Sequence, residues 1–280
     1  MSIKAIDIST WQQNVDFNKV KASGITAVLI RAGFGREISQ KDSQFENHYR
    51  GAKAAGLKVG AYWYSYANTI TDAAREAAAC LACIEGKSFD LPIYYDMEES
   101  SQTGYGKSTL TAMATSFCEA IKAGGYRAGV YANLNWFNNY LNYSSLKSRY
   151  SIWLAQWSSS HSLSCDIWQY GDDGTVPGIS GSVDMNIIEN PDIINGGSGG
   201  GGKEVYCDIS MPYLAQSGYI STGEEVKTVQ LLMNAMNYGK LKVDGIFGSA
   251  TDEAVKRFQK SRKLEQDGIV GADTWRYLLK

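Results

Sequence analysis

Two acids separated by one residue follow an apolar, aromatic run in this sequence. The run at 91–95 has β character, and Asp96 and Glu98 come directly after it. Side chains two positions apart on a strand point the same way, so these carboxyl groups are expected to face one space. Acids are uncommon in protein cores unless they are paired or take part in chemistry. The pattern indicates acid/base or glycosidic chemistry, although a lone pair of this kind is more often a solvated strand end or a helix cap.

Strand-like and helix-like segments alternate along the first part of the chain. Strand patterns occur at 3–8, 26–31, 57–64, 91–96, 127–131, 152–156, 167–170 and 183–185. Helical patterns separate the earlier strands, which predicts a parallel sheet, while the last three strands leave no room for full helices. We therefore expect an α/β fold: an irregular (β/α) barrel of about eight strands with an incomplete helical ring.

Two further acids belong to the same prediction. Asp7 lies near the end of the first predicted strand, and Asp184 lies on the last one. Either acid alone is more often a helix cap or a loop residue. In a barrel of this class chemistry gathers at the carboxyl ends of the strands, and the first and last strands are neighbours. Asp7, Asp96, Glu98 and Asp184 are therefore expected to meet at one mouth.

Eight motifs in this region, taken in order, resemble those of the family 25 glycoside hydrolases, the lysozymes that act as muramidases. They are Ile6-Asp7-Ile8-Ser9 with Trp11-Gln12, Ile30-Arg31-Ala32-Gly33, Gly60-Ala61-Tyr62-Trp63-Tyr64-Ser65-Tyr66, Pro92-Ile93-Tyr94-Tyr95-Asp96-Met97-Glu98, Gly129-Val130-Tyr131-Ala132-Asn133, Trp153-Leu154-Ala155-Gln156-Trp157, Ile167-Trp168-Gln169-Tyr170 and Val183-Asp184-Met185-Asn186. The resemblance implies that Glu98 is the general acid/base and that Asp7, Asp96 and Asp184 assist it. It also implies cleavage of the β-1,4 bond from N-acetylmuramic acid to N-acetylglucosamine in peptidoglycan.

This chemistry suits the residue types. A neighbouring carboxylate raises the pKa of a carboxylic acid, and Asp96 is expected to do so for Glu98. Asp96 is then either a direct nucleophile or the group that orients the substrate's own acetamido oxygen, and we favour the assisted route with net retention. The side chains that could form sugar platforms, with barrel core as the equal alternative, are Tyr62, Tyr64, Tyr131, Trp157 and Trp168.

A chitinase-like N-acetylglucosaminidase is a competing glycosidase interpretation. The family 18 chitinases, which also rely on acetamido assistance, end a barrel strand with the pattern D-x-D-x-E. Tyr94 stands where the first Asp of that pattern belongs, which makes chitinase a minor alternative. A non-catalytic glycan-binding protein is the alternative from a different class, although a binding-only barrel would not need paired acids at its mouth.

The glycine-rich run at 195–202 predicts a flexible linker between two domains. Residues 1–194 would form the catalytic barrel and residues 203–280 a small all-α domain of three helices, at 224–236, 252–259 and 275–279. This domain carries a near-repeat, with Asp244-Gly245-Ile246 and Asp267-Gly268-Ile269 each opening a turn before a helix. The repeat resembles the type-1 peptidoglycan-binding domain. The segment at 204–219 fits either a strand-like lead-in or a packed arm.

Composition excludes some partners and leaves others open. A formal net charge of −2 with 44% hydrophobic residues gives no electrostatic reason to expect nucleic acid or an anionic membrane as partner. The five cysteines have no framework or zinc-site spacing, so we expect reduced, mostly buried thiols and neither metal nor cofactor. The expected partner is bacterial peptidoglycan, with no membrane insertion, and the oligomeric state is not predicted.

The amino terminus has no apolar run of signal-peptide length. This predicts synthesis in a host cytoplasm and action on the cell wall after release, as for a phage or prophage endolysin.

Overall fold

The computed structural model describes residues 3–194, 214 and 221–278. The chain divides into two compact units, Met1–Val205 and Tyr206–Lys280. The predicted linker at 195–202 lies outside the described residues. So does most of the segment at 204–219, apart from Leu214, which pairs with Val270 in the second unit.

Eight strands close into a barrel in chain order. They are β1 Ile3–Ile8, β2 Ala27–Phe34, β3 Lys58–Tyr64, β4 Ile93–Asp96, β5 Ala128–Asn133, β6 Ser151–Ala155, β7 Ile167–Gly174 and β8 Val183–Ile188. Consecutive strands from β1 to β7 pair in parallel, whereas β8 is antiparallel to both β7 and β1. The predicted barrel is confirmed, but the parallel direction is wrong for β8. Only residues 175–182 join β7 to β8, too few for the crossover that a parallel pair needs, so the chain returns in the opposite direction.

Helices cover most of the outside of the barrel. They are α1 Phe17–Ala22, α2 Phe45–Ala54, α3 Ile70–Ile84, α4 Lys107–Ala123, α5 Leu134–Asn139 and α6 Tyr143–Lys147, with 3-10 turns at Ile38–Gln40, Ser100–Gly104 and Pro191–Ile193. In the described chain between β6 and β8 there is no helix, so the helical ring is incomplete, as predicted. One long member, α3, starts at a clear cap: the Thr69 side chain accepts the backbone N–H of Asp72.

Side chains alternate between the inside of the barrel and the layer beneath the helices. The rings of Tyr94, Tyr131 and Trp153 fill the inside, with centroids 5.4 Å apart for Tyr94 and Trp153 and 4.6 Å apart for Tyr131 and Trp153. Gly129 makes room for them, since a Cβ there would lie 2.3 Å from the Tyr94 ring. Two positions after Tyr94 on β4, the inward side chain is the carboxyl of Asp96. The barrel therefore has an apolar floor and a polar mouth.

The second unit has helices α7 Glu224–Ala235, α8 Ser249–Ser261 and α9 Ala272–Leu278 around one apolar core. Its near-repeat is also a repeat of hydrogen bonds. Gln230 donates to the Asp244 carboxylate, and Gln259 donates to the Asp267 carboxylate in the same way. Each glutamine also accepts the N–H of the glycine that follows its aspartate. The three predicted helices are therefore present, and two buried glutamines fix the turns between them.

The described cysteines, Cys80, Cys83, Cys118 and Cys165, are buried free thiols, as expected. Among the described helices, none is both long enough and apolar enough to cross a membrane.

Candidate active site

Asp7 and Asp184 meet because β8 runs against β1. Asp184 stands near the start of β8, and the strand register places it opposite Asp7 near the end of β1. The start of an antiparallel strand and the end of its neighbour lie at the same rim. The prediction that both acids reach one mouth is thus realised by a strand direction that the sequence analysis did not expect.

Asp7 is buried and receives three hydrogen bonds. Gln169 Nε2 and Asn186 Nδ2 donate to its Oδ2 atom over 3.0 and 2.8 Å, and Asp184 donates as well. Burial raises the pKa of Asp7, and the hydrogen bonds from Asn186, Gln169 and Asp184 lower it part of the way back. Asp7 and Asp184 are therefore joined by a hydrogen bond and titrate as a pair.

Sequence reasoning missed Gln169 and Asn186. Both are buried polar residues, Gln169 on β7 and Asn186 on β8, and Asn186 lies two positions after Asp184. The same rule of alternation that paired Asp96 with Glu98 could have found Asn186 beside Asp184.

Asp96 is the last residue of β4, and Glu98 lies just beyond the strand end. Asp96 is 4% exposed, and its Oδ1 atom is buried with no hydrogen-bond partner among the described residues. A buried acceptor without a partner costs free energy, on the order of 1–3 kcal/mol. Glu98 is less buried than Asp96. The mouth thus holds two different carboxyls. Asp96 is buried and has an acceptor atom without a partner, whereas solvent can reach Glu98.

Burial raises the pKa of the other three acids at the mouth. The pKa of Asp184 rises to about 8 because of burial and the nearby charge of Asp7. Burial also raises the pKa of Asp96 well above its usual value, and the charge of Glu98 raises it further. For Glu98, burial acts first and the charges of Asp184 and Glu99 add to it. Each of these acids therefore keeps its proton to a higher pH than a solvent-exposed carboxyl does.

The predicted interaction between Asp96 and Glu98 is seen at the pKa of Asp96, which the charge of Glu98 raises. Repulsion between two carboxylates raises the pKa of whichever group loses its proton second, so the effect belongs to the pair and not to one residue. That Asp96 raises the pKa of Glu98 stays a prediction.

A buried network supports the strand end that carries Asp96. Glu76 of α3 is fully buried and accepts hydrogen bonds from Tyr95 Oη over 2.6 Å and from the backbone N–H of Tyr66 over 2.8 Å. Burial raises the pKa of Glu76 to about 7. The Tyr95 ring stacks on Phe117 with centroids 4.0 Å apart. Because Tyr95 is adjacent to Asp96, this network fixes the backbone from which Asp96 projects.

Arg31 is a cation at the same mouth. It lies on β2, its Nε atom donates to Asp42 Oδ2 over 2.8 Å, and 16% of its side chain is exposed. Its charge favours the ionised form of Asp96 and so opposes the other influences on the pKa of that acid. The positive charge of Arg31 therefore offsets part of the negative charge of the acids at the mouth.

The five predicted sugar platforms fall into three groups. Tyr62 and Tyr131 pack edge-on against Trp153 inside the barrel, where the strand register sets Tyr62 beside Tyr94 and Tyr131 beside Asp96. Tyr64 is half-buried, and Trp157 is 60% exposed with its Nε1 donating to Gln169 over 3.2 Å. Trp168 is 9% exposed and belongs to the layer outside the barrel, so the structure does not bring it to the mouth.

Among the described residues, no group of three or more His, Cys, Asp or Glu side chains is arranged to hold a metal ion.

Residues 6–179 match the family model described as "Glycosyl hydrolases family 25". The chain belongs to this family. Residues 222–278 of the hydrolase match a second model, "Putative peptidoglycan binding domain". Both resemblances noted in the sequence are therefore confirmed.

The hydrolase is similar to named lysozymes. It is 32% identical to the "Autolytic lysozyme" of Clostridium acetobutylicum over 275 residues, which cover 97% of this chain and 77% of that protein. It is 30% identical to "Lysozyme M1" of Streptomyces globisporus over 200 residues, covering 66% of this chain and 67% of that one. A crystal structure of the CTP1L endolysin matches with a TM-score of 0.61 and 27% identity, covering 68% of this chain and 69% of that one. These matches support peptidoglycan hydrolysis and favour neither the chitinase-like nor the binding-only alternative.

Proposed function

We propose that the protein hydrolyses the β-1,4 bond between N-acetylmuramic acid and N-acetylglucosamine in bacterial peptidoglycan. The observation that carries the proposal is the meeting of four acids from β1, the end of β4 and β8 at one mouth, with the pKa of each raised. A buried carboxyl costs free energy. A mouth that only bound sugars would gain nothing from four of them, whereas a glycosidase needs an acid that is still protonated near neutral pH.

Glu98 is proposed as the general acid and then the general base. Its pKa is raised by burial, so part of it is protonated where an ordinary glutamate is ionised. It is more accessible than Asp96, as a group that meets the glycosidic oxygen must be. Asp7 and Asp184 are proposed to assist Glu98 as a hydrogen-bonded pair that faces the mouth across β1 and β8.

Asp96 is proposed to orient the substrate's 2-acetamido group. Its buried Oδ1 atom has an open acceptor position that the acetamido N–H of the muramic acid residue would fill. A carboxylate engaged in that hydrogen bond is not free to attack the anomeric carbon itself. The favoured route therefore uses the substrate's own carbonyl oxygen.

The bonds balance in two steps. The acetamido oxygen attacks the anomeric carbon, the bond to the leaving oxygen breaks, and Glu98 gives its proton to that oxygen. Water then attacks the anomeric carbon from the face that the leaving sugar vacated, Glu98 takes its proton, and the bond to the acetamido oxygen breaks. Two displacements at one carbon give net retention of configuration.

Aromatic side chains at the mouth are proposed to receive the sugars. Trp157 and Tyr64 present ring surface at the rim, and Tyr62 and Tyr131 pack against Trp153 inside the barrel. The second unit is proposed to hold the wall, which raises the local concentration of the catalytic barrel at its polymer. Residues 1–194, 195–202 and 203–280 remain our proposed domain limits. Synthesis in a host cytoplasm followed by release stays a prediction from the sequence.

The test compares two isosteric variants in the clearing of purified cell-wall suspensions. Glu98→Gln should lower the rate about 10³-fold, the scale expected for loss of a general acid. Glu85→Gln, which changes an exposed glutamate just after α3, is the matched control and should clear walls as the wild type does. Equal clearing by Glu98→Gln and the wild type would rule out the enzyme assignment.

A further inference from the structure

Trp11 is the most exposed large apolar side chain among the described residues, at 80%. Single exposed apolar side chains are common on protein surfaces, so exposure alone assigns no role. The distinctive feature of Trp11 is the rigidity of the segment that carries it.

Hydrogen bonds fix this segment on both sides of Trp11. The Ser9 N–H donates to Gln12 Oε1 over 3.0 Å, and the Gln12 N–H donates to Ser9 O over 3.1 Å. The Thr10 N–H donates to Asp42 Oδ2 over 3.0 Å, and Gln12 Nε2 donates to Ser182 O over 3.2 Å. An exposed indole is therefore presented by a backbone that is already ordered, which lowers the entropy cost of binding something to it.

The same bonds place Trp11 at the rim of the mouth. The segment follows the end of β1, four residues after Asp7. Asp42, which anchors one side, also accepts from Arg31 at the mouth. Ser182, which anchors the other side, lies two residues before Asp184. Trp11 thus stands on the lip beside the acids.

A second exposed indole is joined to the same acid. Trp157 donates to Gln169, and Gln169 donates to Asp7. Trp11 lies four residues after Asp7 in the chain, and Trp157 is linked to Asp7 by these two hydrogen bonds. Two exposed indole rings are therefore held at the catalytic mouth, one on the segment after β1 and one on the segment after β6.

We propose that Trp11 is a platform for a pyranose ring of the glycan strand, at a position beyond the sugars joined by the cleaved bond. The inference rests on the proposed function. An indole offers a flat apolar face, and a pyranose offers a face of C–H groups while its hydroxyls stay in water. The acids at the mouth disfavour an anionic occupant, which favours N-acetylglucosamine on Trp11 over a muramic acid residue with a free lactyl carboxylate. Binding energy from this remote ring would help to hold the strand in register across Glu98.

The experiment compares strands of two lengths. Soluble glycan strands freed of stem peptides, a tetrasaccharide and an octasaccharide, are given to the wild-type full chain, Trp11→Ala and Trp11→Phe. The preference for the longer strand, measured as the ratio of kcat/KM values, should fall about tenfold in Trp11→Ala, as for loss of one binding hot spot. Trp11→Phe should restore most of it because a flat ring returns. Equal thermal melting of the variants would exclude a folding defect.

Other outcomes would overturn the platform or the proposed function. An unchanged length preference in Trp11→Ala would overturn the platform. A fall seen only with strands that keep their stem peptides would also overturn it, because the contact would then be with peptide. If the wild type cleaved neither strand and also failed to clear cell walls, the proposed function would fail. The platform would then be decided by fluorescence titration with the octasaccharide, where loss of the wild-type response in Trp11→Ala supports it and an identical response overturns it.

Discussion

Asp7 and Asp184 face each other across antiparallel strands, and Asp184 donates a hydrogen bond to Asp7. This bond requires a proton on Asp184, and burial with the charge of Asp7 raises its pKa to about 8. In an unfolded chain an aspartate loses its proton at a pH of about 4. The folded protein therefore holds a proton that the unfolded chain has lost over the range between those two values.

The first prediction concerns the pH dependence of stability. Because the folded state binds more protons, the contribution of Asp184 is complete below the unfolded pKa and is lost as pH rises through about 8. Asp184→Asn can still donate to Asp7 but cannot ionise. Its free energy of unfolding should therefore fall less steeply with pH than that of the wild type. Denaturant unfolding between pH 5 and pH 8 measures both slopes. Asp192→Asn, at an exposed acid, should keep the wild-type slope, and identical slopes for all three proteins would contradict the prediction.

The second prediction sets stability against activity at Asp96. Asp96→Asn removes a buried carboxyl whose pKa is raised, so the variant should melt at a higher temperature than the wild type. The difference should be larger at pH 8 than at pH 5, because more of the wild-type carboxyl is ionised at the higher pH. Activity on cell walls should fall about 100-fold or more, as when one preorganised electrostatic contact is lost. A variant that melts lower at both pH values would contradict this account of Asp96.

The third prediction concerns the wall's own chemistry. If the acetamido oxygen of the muramic acid residue attacks the anomeric carbon, walls whose muramic acid lacks the N-acetyl group should resist cleavage at those residues. Walls that lack N-acetyl groups only on glucosamine serve as the matched control and should still be cleaved. Mass spectrometry of the soluble fragments identifies which residues are cut. Equal cutting of both kinds of wall would favour direct attack by Asp96.

The fourth prediction concerns the second unit. Gln230 and Gln259 are each 1% exposed and make the same set of bonds to their turns. Gln230→Ala and Gln259→Ala should each destabilise the unit by a similar amount, about 2–4 kcal/mol, because each leaves buried polar groups without partners. Hydrogen exchange across residues 221–278 measures the loss, with the exposed Gln266→Ala as control. A large effect from one glutamine alone would contradict the equivalence of the two repeats.

Features that depend on residues close together in the chain could be predicted from the sequence. Alternation along a strand paired Asp96 with Glu98, and the order of strand and helix patterns predicted a barrel with a gap in its helical ring. The gap in the helical ring could be predicted because the last strands are separated by too few residues to form a helix. The D-G turns of the second unit were visible for the same reason, since a turn's requirements are local.

The sequence was insufficient where the outcome depended on direction or on distant partners. Parallel and antiparallel strands share a period of two, so nothing within β8 indicated that it runs against β1. Gln169 and Asn186 reach Asp7 only after the barrel closes. The pKa order of Asp96, Glu98 and Asp184 depends on burial and on distances between strands, which no spacing along the chain encodes.

The central claim is that this mouth breaks the bond on the reducing side of N-acetylmuramic acid. The most direct measurement is the identity of the new reducing ends in a cell-wall digest, found by borohydride reduction, acid hydrolysis and mass spectrometry. We predict that reduced muramic acid appears with the wild type and is absent with Glu98→Gln. Reduced glucosamine in its place, or equal product from both proteins, would contradict the account.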